Sequence, residues 1–254
     1  MTELIISELE VERMLKTLDS NKGTGPDGIP ARLLKVTAPI IAPSLFKLFN
    51  KSLRLGTVPD EWKLANVVPV HKKGDKGLTE NYRPISLLSI GSKVLERRVL
   101  MSIKYHLSQI INMYQHGFLQ GKSCVTNLLE VLDYIGRILD NGGQVDTVYL
   151  DMSKAFDRIN HRKRINKLRN FGCGGRLLKW FSSYLTGRRQ RVTVLGATSN
   201  TLPISSGVPQ GSILGPVLFL LYVNDLPDSV TTSKVAMFAD DTKLFSAIKC
   251  QSDA

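Results

Sequence analysis

The run VAMFADDTKLF, residues 235–245, sets two adjacent aspartates, Asp240 and Asp241, among Val235, Met237, Phe238, Leu244 and Phe245. Like charges side by side repel, and a desolvated carboxylate without a partner is costly. Successive strand residues face opposite sides of a sheet, so the pair shares one site only where the backbone turns sharply between them. A tight hairpin supplies that turn, with residues 235–239 running up and 242–245 running down. The group facing the pair is then a lysine, a metal ion or solvent, and an Asp-Asp pair at a hairpin tip is, by itself, ordinarily a solvated turn.

A second acidic segment changes the weighting. In DTVYLDMSKAFDRINH, Val148 and Leu150 alternate in strand fashion, Asp151 sits at the strand's end, and Ser153 is positioned to cap a helix beginning at Lys154. Asp151 joins Asp240 and Asp241 if the two strands are neighbours. Three acidic side chains with no basic cluster adjacent in sequence suit hard divalent cations bound through oxygen, Mg²⁺ at ~2.1 Å. Two such ions ~3.5–4 Å apart serve phosphoryl transfer. The chain's balance of 34 Lys and Arg against 22 Asp and Glu, a formal charge of +12, favours a polyanionic partner, nucleic acid before an acidic membrane surface.

Other features bound the fold. At 254 residues and 43% apolar content the chain can bury one large core or two smaller ones. Cys124, Cys173 and Cys250 lie far apart without zinc-ligand spacing and read as free intracellular thiols. The acidic start MTELIISELE is no signal or transit peptide. The longest apolar run, PVLFLLYV, is far short of the ~20 residues that span a bilayer and reads as a core helix.

Ser7 and Glu10 form a capping box ahead of the stripe Val11, Met14, Leu15 and Leu18, which predicts a helix ending near Asn21. The following GTGPDG matches a dinucleotide-binding glycine pattern in letters alone: a helix precedes it, and Pro26 and Pro30 interrupt any helix after it, so a loop is expected. Helix is expected over residues 30–55, broken near Pro39 and Pro43, then a strand over residues 67–71 running into a basic turn. NYRPISLLS reads as a loop, because Arg83 before Pro84 must be extended. Helices follow at about 90–109 and 125–141, the latter closing at Gly142 and Gly143, and a basic helix carries Arg162, Lys163, Arg164, Lys167 and Arg169. GVPQGS reads as a loop in which Gly207 and Gly211 permit close approach to a ligand.

VYLDMSKAFDRINH, SSGVPQGSILGPVLFLLYVNDLP and MFADDTKLF, in that order and separation, resemble the central polymerase motifs of reverse transcriptases, specifically those of non-LTR, LINE-type, jockey-like retrotransposons. NKGTGPDGIPARLLK, VVPVHKKGD, NYRPISLLS and QHGFLQGKSC resemble the family's upstream segments, so the likeness covers nearly the whole chain. It implies an α+β right-hand polymerase fold, fingers plus palm, with a four-stranded antiparallel palm sheet backed by helices. The implied division is a fingers-like region over residues 1–110 and a palm-like region over 111–254 that ends before the family's thumb.

The implied activity is that of an RNA-directed DNA polymerase, a nucleotidyltransferase in which a primer 3′-hydroxyl attacks the α-phosphorus of a deoxynucleoside triphosphate. The implied partners are an RNA template, a DNA primer and the dNTP, with no membrane. The implied cofactor is a pair of Mg²⁺ ions, with Mn²⁺ as substitute. By resemblance Asp151, Asp240 and Asp241 are catalytic and bind the metals, assisted by the Met152 carbonyl. Lys154 and Ala155 offer N–H groups to the triphosphate, and Phe156 collides with a 2′-hydroxyl. Gln210 and Gly211 line the nucleotide and template pocket, and Lys72, Lys73 and Arg83 clamp the triphosphate, the register leaving open which lysine reaches. Arg188, Arg189, Arg191 and the basic helix are candidates for nucleic-acid contacts. A reading of different class is a noncatalytic transposon-derived remnant that at most binds nucleic acid. A maturase-like or telomerase-like relative fits the motif wording less well.

Overall fold

In the computed structural model, which describes residues 2–248, the Ser7 hydroxyl accepts the Glu10 N–H while the Glu10 carboxylate receives the Ser7 N–H at 2.7 Å. This reciprocal cap starts α1 (Glu8–Lys16), which stops at Thr17, earlier than its apolar stripe suggests. The chain continues through α2 (Ala31–Val36), α3 (Ala38–Leu55), β1 (Leu64–His71), β2 (Tyr82–Leu87), α4 (Ile90–Ile110), α5 (Cys124–Asp140) and β3 (Gln144–Leu150). Then come α6 (His161–Asn170), α7 (Gly175–Leu185), β4 (Arg189–Val194), β5 (Ala197–Thr198), β6 (Leu202–Pro203), α8 (Gly215–Val223), β7 (Lys234–Phe238) and β8 (Asp241–Ile248).

These elements form two units, neither of them one continuous stretch. The first takes residues up to 106 together with 156–215, and the second takes 107–155 together with those from 216 on. The expected division, fingers-like to residue 110 and palm-like after it, therefore differs from these units over residues 107–110 and 156–215. Strand pairing is the reason. β4 runs parallel to β1, from Leu64↔Arg189 to Val67↔Val192, and carries the middle segment into the first unit. β3 pairs antiparallel with β8 and closes the second unit across that insertion.

In the first unit the sheet order is β2-β1-β4-β5, with β6 also on β4. Residues 82–87, expected as a loop, pair with β1 instead. The extended backbone that Pro84 imposes on Arg83 suits an edge strand, where a missing N–H breaks no ladder bond. The helices bury Val11, Leu15, Phe49, Leu53, Trp180, Phe181 and Tyr184. Trp180 stacks on Tyr184 at 5.5 Å, and its indole N–H reaches the Ser52 hydroxyl at 3.0 Å, so the core's largest ring is also hydrogen-bonded. The predicted break before α3 falls at Thr37, with Pro39 in the first turn and Pro43 inside the helix.

The second unit has the sheet β3-β8-β7, three strands where the family likeness implies four. The outer edge of β7 is occupied by a short segment: the Met237 N–H bonds the Tyr114 carbonyl and the His116 N–H bonds the Met237 carbonyl, both at 2.9 Å. Val131 of α5 packs with Ala236 and Phe245, joined by Tyr134, Ile135 and Val145. α8 is buried on every side, as a core helix should be. No helix among the described residues is long and apolar enough to cross a membrane. Cys124 and Cys173 are free thiols, and Cys250 lies outside the described residues.

The loop after α1 sits tightly on its own unit: a Cβ added at Gly25 would lie 2.5 Å from the Ser89 nitrogen, whereas one at Gly28 meets nothing within 4 Å. Gly25→Ala is therefore expected to lower stability by about 1–3 kcal/mol through overpacking. Gly28→Ala, strained only by its φ of +68°, should lower it by about 1 kcal/mol. Urea midpoints of the two variants check the order.

Candidate active site

The β3–β8 ladder runs to the pair Leu150↔Thr242. The next residue on each strand is an aspartate, so Asp151 and Asp241 are neighbours at the end of the sheet. β7 and β8 close at Phe238↔Asp241, which leaves Ala239 and Asp240 as a two-residue turn. The hairpin was expected, but its turn lies one residue earlier than the Asp240–Asp241 step. Ala239 takes φ +56°, a conformation costing a non-glycine residue roughly 1–2 kcal/mol. Its N–H and carbonyl both bond the side-chain amide of Gln115, at 2.8 and 3.2 Å.

Asp151 and Asp241 are exposed and Asp240 is half-buried. The nearest lysine along β8, Lys243, donates to Asn127 at 3.3 Å. Among the described residues no three carboxylate, imidazole or thiol groups converge closely enough to hold an ion. The register thus makes neighbours of the aspartates without closing a ligand set.

Residues 153–157 form turns, and the helix expected from Lys154 under a Ser153 cap is not there. Lys154 has φ +53°, which no helix accommodates, and the Ala155 N–H bonds the Met152 carbonyl at 3.1 Å. The next helix, α6, is capped by the Asn160 side chain on the Lys163 N–H. So the N–H groups of Lys154 and Ala155 do not form a helix start, and the Met152 carbonyl already accepts one bond.

The remaining candidates lie in the first unit. Lys72 and Lys73 are exposed in the β1–β2 turn, and Arg83 is exposed opposite Val70. Because the Lys72 N–H still bonds the Asn81 carbonyl at 2.8 Å, Lys72 continues the ladder two places beyond Val70, on the face Arg83 shares. Further along β2 the Ser86 N–H bonds the Gln210 carbonyl at 2.6 Å, so one strand carries Arg83 and anchors the GVPQGS loop.

That loop is knotted to residues 156–161. The Val208 N–H bonds the Phe156 carbonyl at 3.0 Å, Gln210 Nε2 donates to Asp157 at 3.1 Å, and His161 Nε2 donates to the Gly207 carbonyl at 2.7 Å. Gly207 and Gly211, with φ +81° and +120°, do permit close approach, but to the chain's own backbone. A Cβ would sit 2.7 Å from Asp157 and 2.6 Å from the Ser86 carbonyl respectively.

Beneath the loop lies a charge that the sequence reading left without a role. Glu96 of α4 is 1% exposed. Its Oε2 accepts the Ile213 N–H at 2.8 Å, the Leu214 N–H at 3.3 Å and the Tyr184 hydroxyl at 3.1 Å. Arg188, also buried, donates to the Tyr184 carbonyl at 3.0 Å with its guanidinium 5.1 Å from that ring's centroid. Arg188 and the likewise buried Arg164 are thus withdrawn from the surface where nucleic-acid contacts were expected. Arg189, Arg162, Lys163 and Arg169 remain exposed.

A family model described as "Reverse transcriptase (RNA-dependent DNA polymerase)" matches residues 70–254. The sequence is similar to "Probable RNA-directed DNA polymerase from transposon X-element" of Drosophila melanogaster, 34% identical over 96% of this chain and 28% of the relative. It is also similar to "RNA-directed DNA polymerase from mobile element jockey" of the same organism, 29% identical over 94% of this chain and 27% of the relative. The chain thus spans a little over a quarter of the length of these curated relatives. Among solved structures, an apo telomerase from Candida tropicalis aligns with a TM-score of 0.55 and 11% identity, covering 78% of this chain and 46% of the telomerase chain. This likeness speaks to the fold.

Burial lifts the Glu96 carboxyl above its ordinary range, while Arg188 and the Ile213 and Leu214 N–H groups pull it part of the way back. The folded chain then binds this proton more tightly than the unfolded chain. Stability is greatest below the ordinary carboxylate range and falls as pH rises through the folded titration. In melting series from about pH 4 to about pH 8, wild type is expected to lose ground steadily to Glu96→Gln, which lacks this titration. A pH-independent difference would refute the assignment.

Proposed function

The chain belongs to the reverse transcriptase family, with relatives among non-LTR retrotransposon polymerases, and from that premise we propose that it is the catalytic core of an RNA-directed DNA polymerase. One observation carries the reading: Asp151 and Asp241, from segments far apart in sequence, follow directly on the last β3–β8 pair, beside the turn that holds Asp240.

The chain's own residues are assigned as follows. Asp151, Asp240 and Asp241 present hard oxygen donors at one end of a sheet, and the Met152 carbonyl keeps a second lone pair beyond its bond to Ala155. This donor chemistry fits a pair of Mg²⁺ ions, or Mn²⁺. When bound, such ions neutralise charge on the reacting phosphate oxygens. Asp151 and Asp241 are exposed, which leaves both open to such a cation. Lys154 is a surface charge suited to the triphosphate.

In the first unit, Arg83 grips phosphate as a bidentate guanidinium. Strand alternation favours Lys72 over Lys73 as its companion. Phe156 excludes a 2′-hydroxyl and so selects dNTP. Gln210, tied to Asp157, and Gly211, pressed on Ser86, fix the backbone of the loop assigned to nucleotide and template. Exposed Arg189, Arg162, Lys163 and Arg169 are left for the phosphates of an RNA template and DNA primer, a salt-sensitive contact. The open carboxylate set supports a second reading, a remnant that binds nucleic acid without catalysis.

Extension of a DNA primer on an RNA template in Mg²⁺ or Mn²⁺ separates the two. Incorporation by wild type and its loss to background in Asp240→Ala are expected, and equal, negligible incorporation by both would leave only the remnant. Within an active chain, Phe156→Val should raise ribonucleotide use relative to deoxyribonucleotide by roughly tenfold or more. Lys72→Ala should raise the KM for dNTP more than Lys73→Ala does.

A further inference from the structure

Gln115 is 2% exposed and belongs to no helix or strand. Its side-chain amide nevertheless serves as a backbone partner for one particular residue. Oε1 accepts the N–H groups of Gly117 at 2.7 Å and of Ala239 at 2.8 Å, and Nε2 donates to the Ala239 carbonyl at 3.2 Å. The two N–H donors fix which end of the amide is oxygen.

Ala239 needs such a partner. As the first residue of a two-residue turn it lies outside the β7–β8 ladder, yet it is buried, so its N–H and carbonyl would otherwise go unpaired. It also holds a left-handed φ of +56° that an alanine seldom adopts. The amide itself is held in place. Tyr114 and His116 bond Met237 on the outer edge of β7, and Asn127 of α5 donates to the same Met237 carbonyl at 3.3 Å. Gly117 lets the segment close in, since a Cβ there would fall 2.3 Å from the Ala239 nitrogen.

We propose that Gln115 is a positioning residue: by gripping both polar groups of Ala239 it sets the backbone of the turn that holds Asp240 and leads into Asp241. Its bearing on catalysis rests on the polymerase reading above, and its action on the turn does not. Gln115 bonds the backbone of Ala239 and Gly117, so what it fixes is the backbone of the turn.

A double-mutant cycle on the full chain tests this, using Gln115→Met, which keeps the volume and removes the amide, with Ala239→Gly, which relieves the left-handed strain. Amide hydrogen exchange is the readout independent of turnover. In Gln115→Met, exchange at Ala239 and Gly117 is expected to quicken at least tenfold beyond that at the paired amides of β7 and β8. Primer extension is the second readout. There kcat should fall at least tenfold with the KM for dNTP within about threefold of wild type, and the loss should shrink severalfold in the Ala239→Gly background.

Unchanged exchange at Ala239, or a Gln115→Met effect equal in both backgrounds, overturns the proposal. If exchange responds while wild type and Asp240→Ala incorporate equally little, the turn assignment stands and the polymerase reading falls. Gln115→Glu, which keeps the acceptor and loses the donor to the Ala239 carbonyl, should lie between wild type and Gln115→Met. A Gln115→Glu chain indistinguishable from wild type in both readouts would count against the grip on that carbonyl.

Discussion

The seven-residue pairing of β3 with β8 is the constraint on which the second unit depends. It sets the packing and the placement of the carboxylates together. Val145 on β3 and Phe245 on β8 both pack on the cluster around Val131, so the two strands must present these side chains on one face. A slip of one residue would turn one of them away from α5. The same slip would move Asp151 off its position beside Asp241. The apolar cluster therefore protects the register of the acidic end, and no separate device is needed to bring residue 151 to residue 241.

In the first unit a buried polar network plays the corresponding part. Charges withdrawn from water are costly unless paired and fully hydrogen-bonded. Glu96 answers this by accepting from Tyr184, Ile213 and Leu214 with Arg188 close by. The two backbone N–H groups belong to the stretch just before α8, so the network also fixes where the GVPQGS loop must end. At the loop's other end Gly207 presses against Asp157, while Gly211, just ahead of the network, presses against Ser86. The loop is clamped at both ends, and its glycines are explained by the chain's own backbone before any ligand is invoked.

Much of this was readable in advance, and the misreadings have physical causes. The capping box at Ser7, the helices over 90–110 and 124–140 and the acidic hairpin all rest on local chemistry, and all are present. The turn falls one residue earlier than expected because Ala239 takes a left-handed φ that alanine seldom adopts, and its partner Gln115, 124 positions away, leaves no local signal. Lys154 defeats its expected helix in the same manner. Proline within residues 82–87 signals an extended backbone and not that a partner strand exists, so the pairing with β1 carries no local mark. The interleaving of the units follows from the parallel β1–β4 pairing, for which no local signal exists. Glu96 and Arg164 were legible in principle: Ser92, Glu96, Val99 and Ile103 fall on one buried stripe of α4, and Arg164 and Leu168 on one of α6. Reading Arg164 with the exposed charges of its helix hides that spacing.

The question raised by two adjacent aspartates in an apolar run has a structural answer at Asp241. Asp241 opens β8 in contact with solvent, Asp151 beside it is exposed, and Lys243 is engaged by Asn127. Exposure to solvent screens the repulsion between these neighbours at the end of the sheet and keeps the desolvation cost there small. The chain thus handles its charges in two contrasting ways. Those that hold the scaffold, Glu96 and Arg188, are buried and committed to partners within the fold. Asp151 and Asp241 are left exposed at the end of the β3–β8 ladder, with the adjoining β7–β8 turn held by a neutral amide. A carboxylate already salt-bridged to lysine would have to break that bond to receive a cation, whereas a hydrated one exchanges water for it. Placing an uncharged glutamine behind the turn fixes the backbone without neutralising the side chains that project from it.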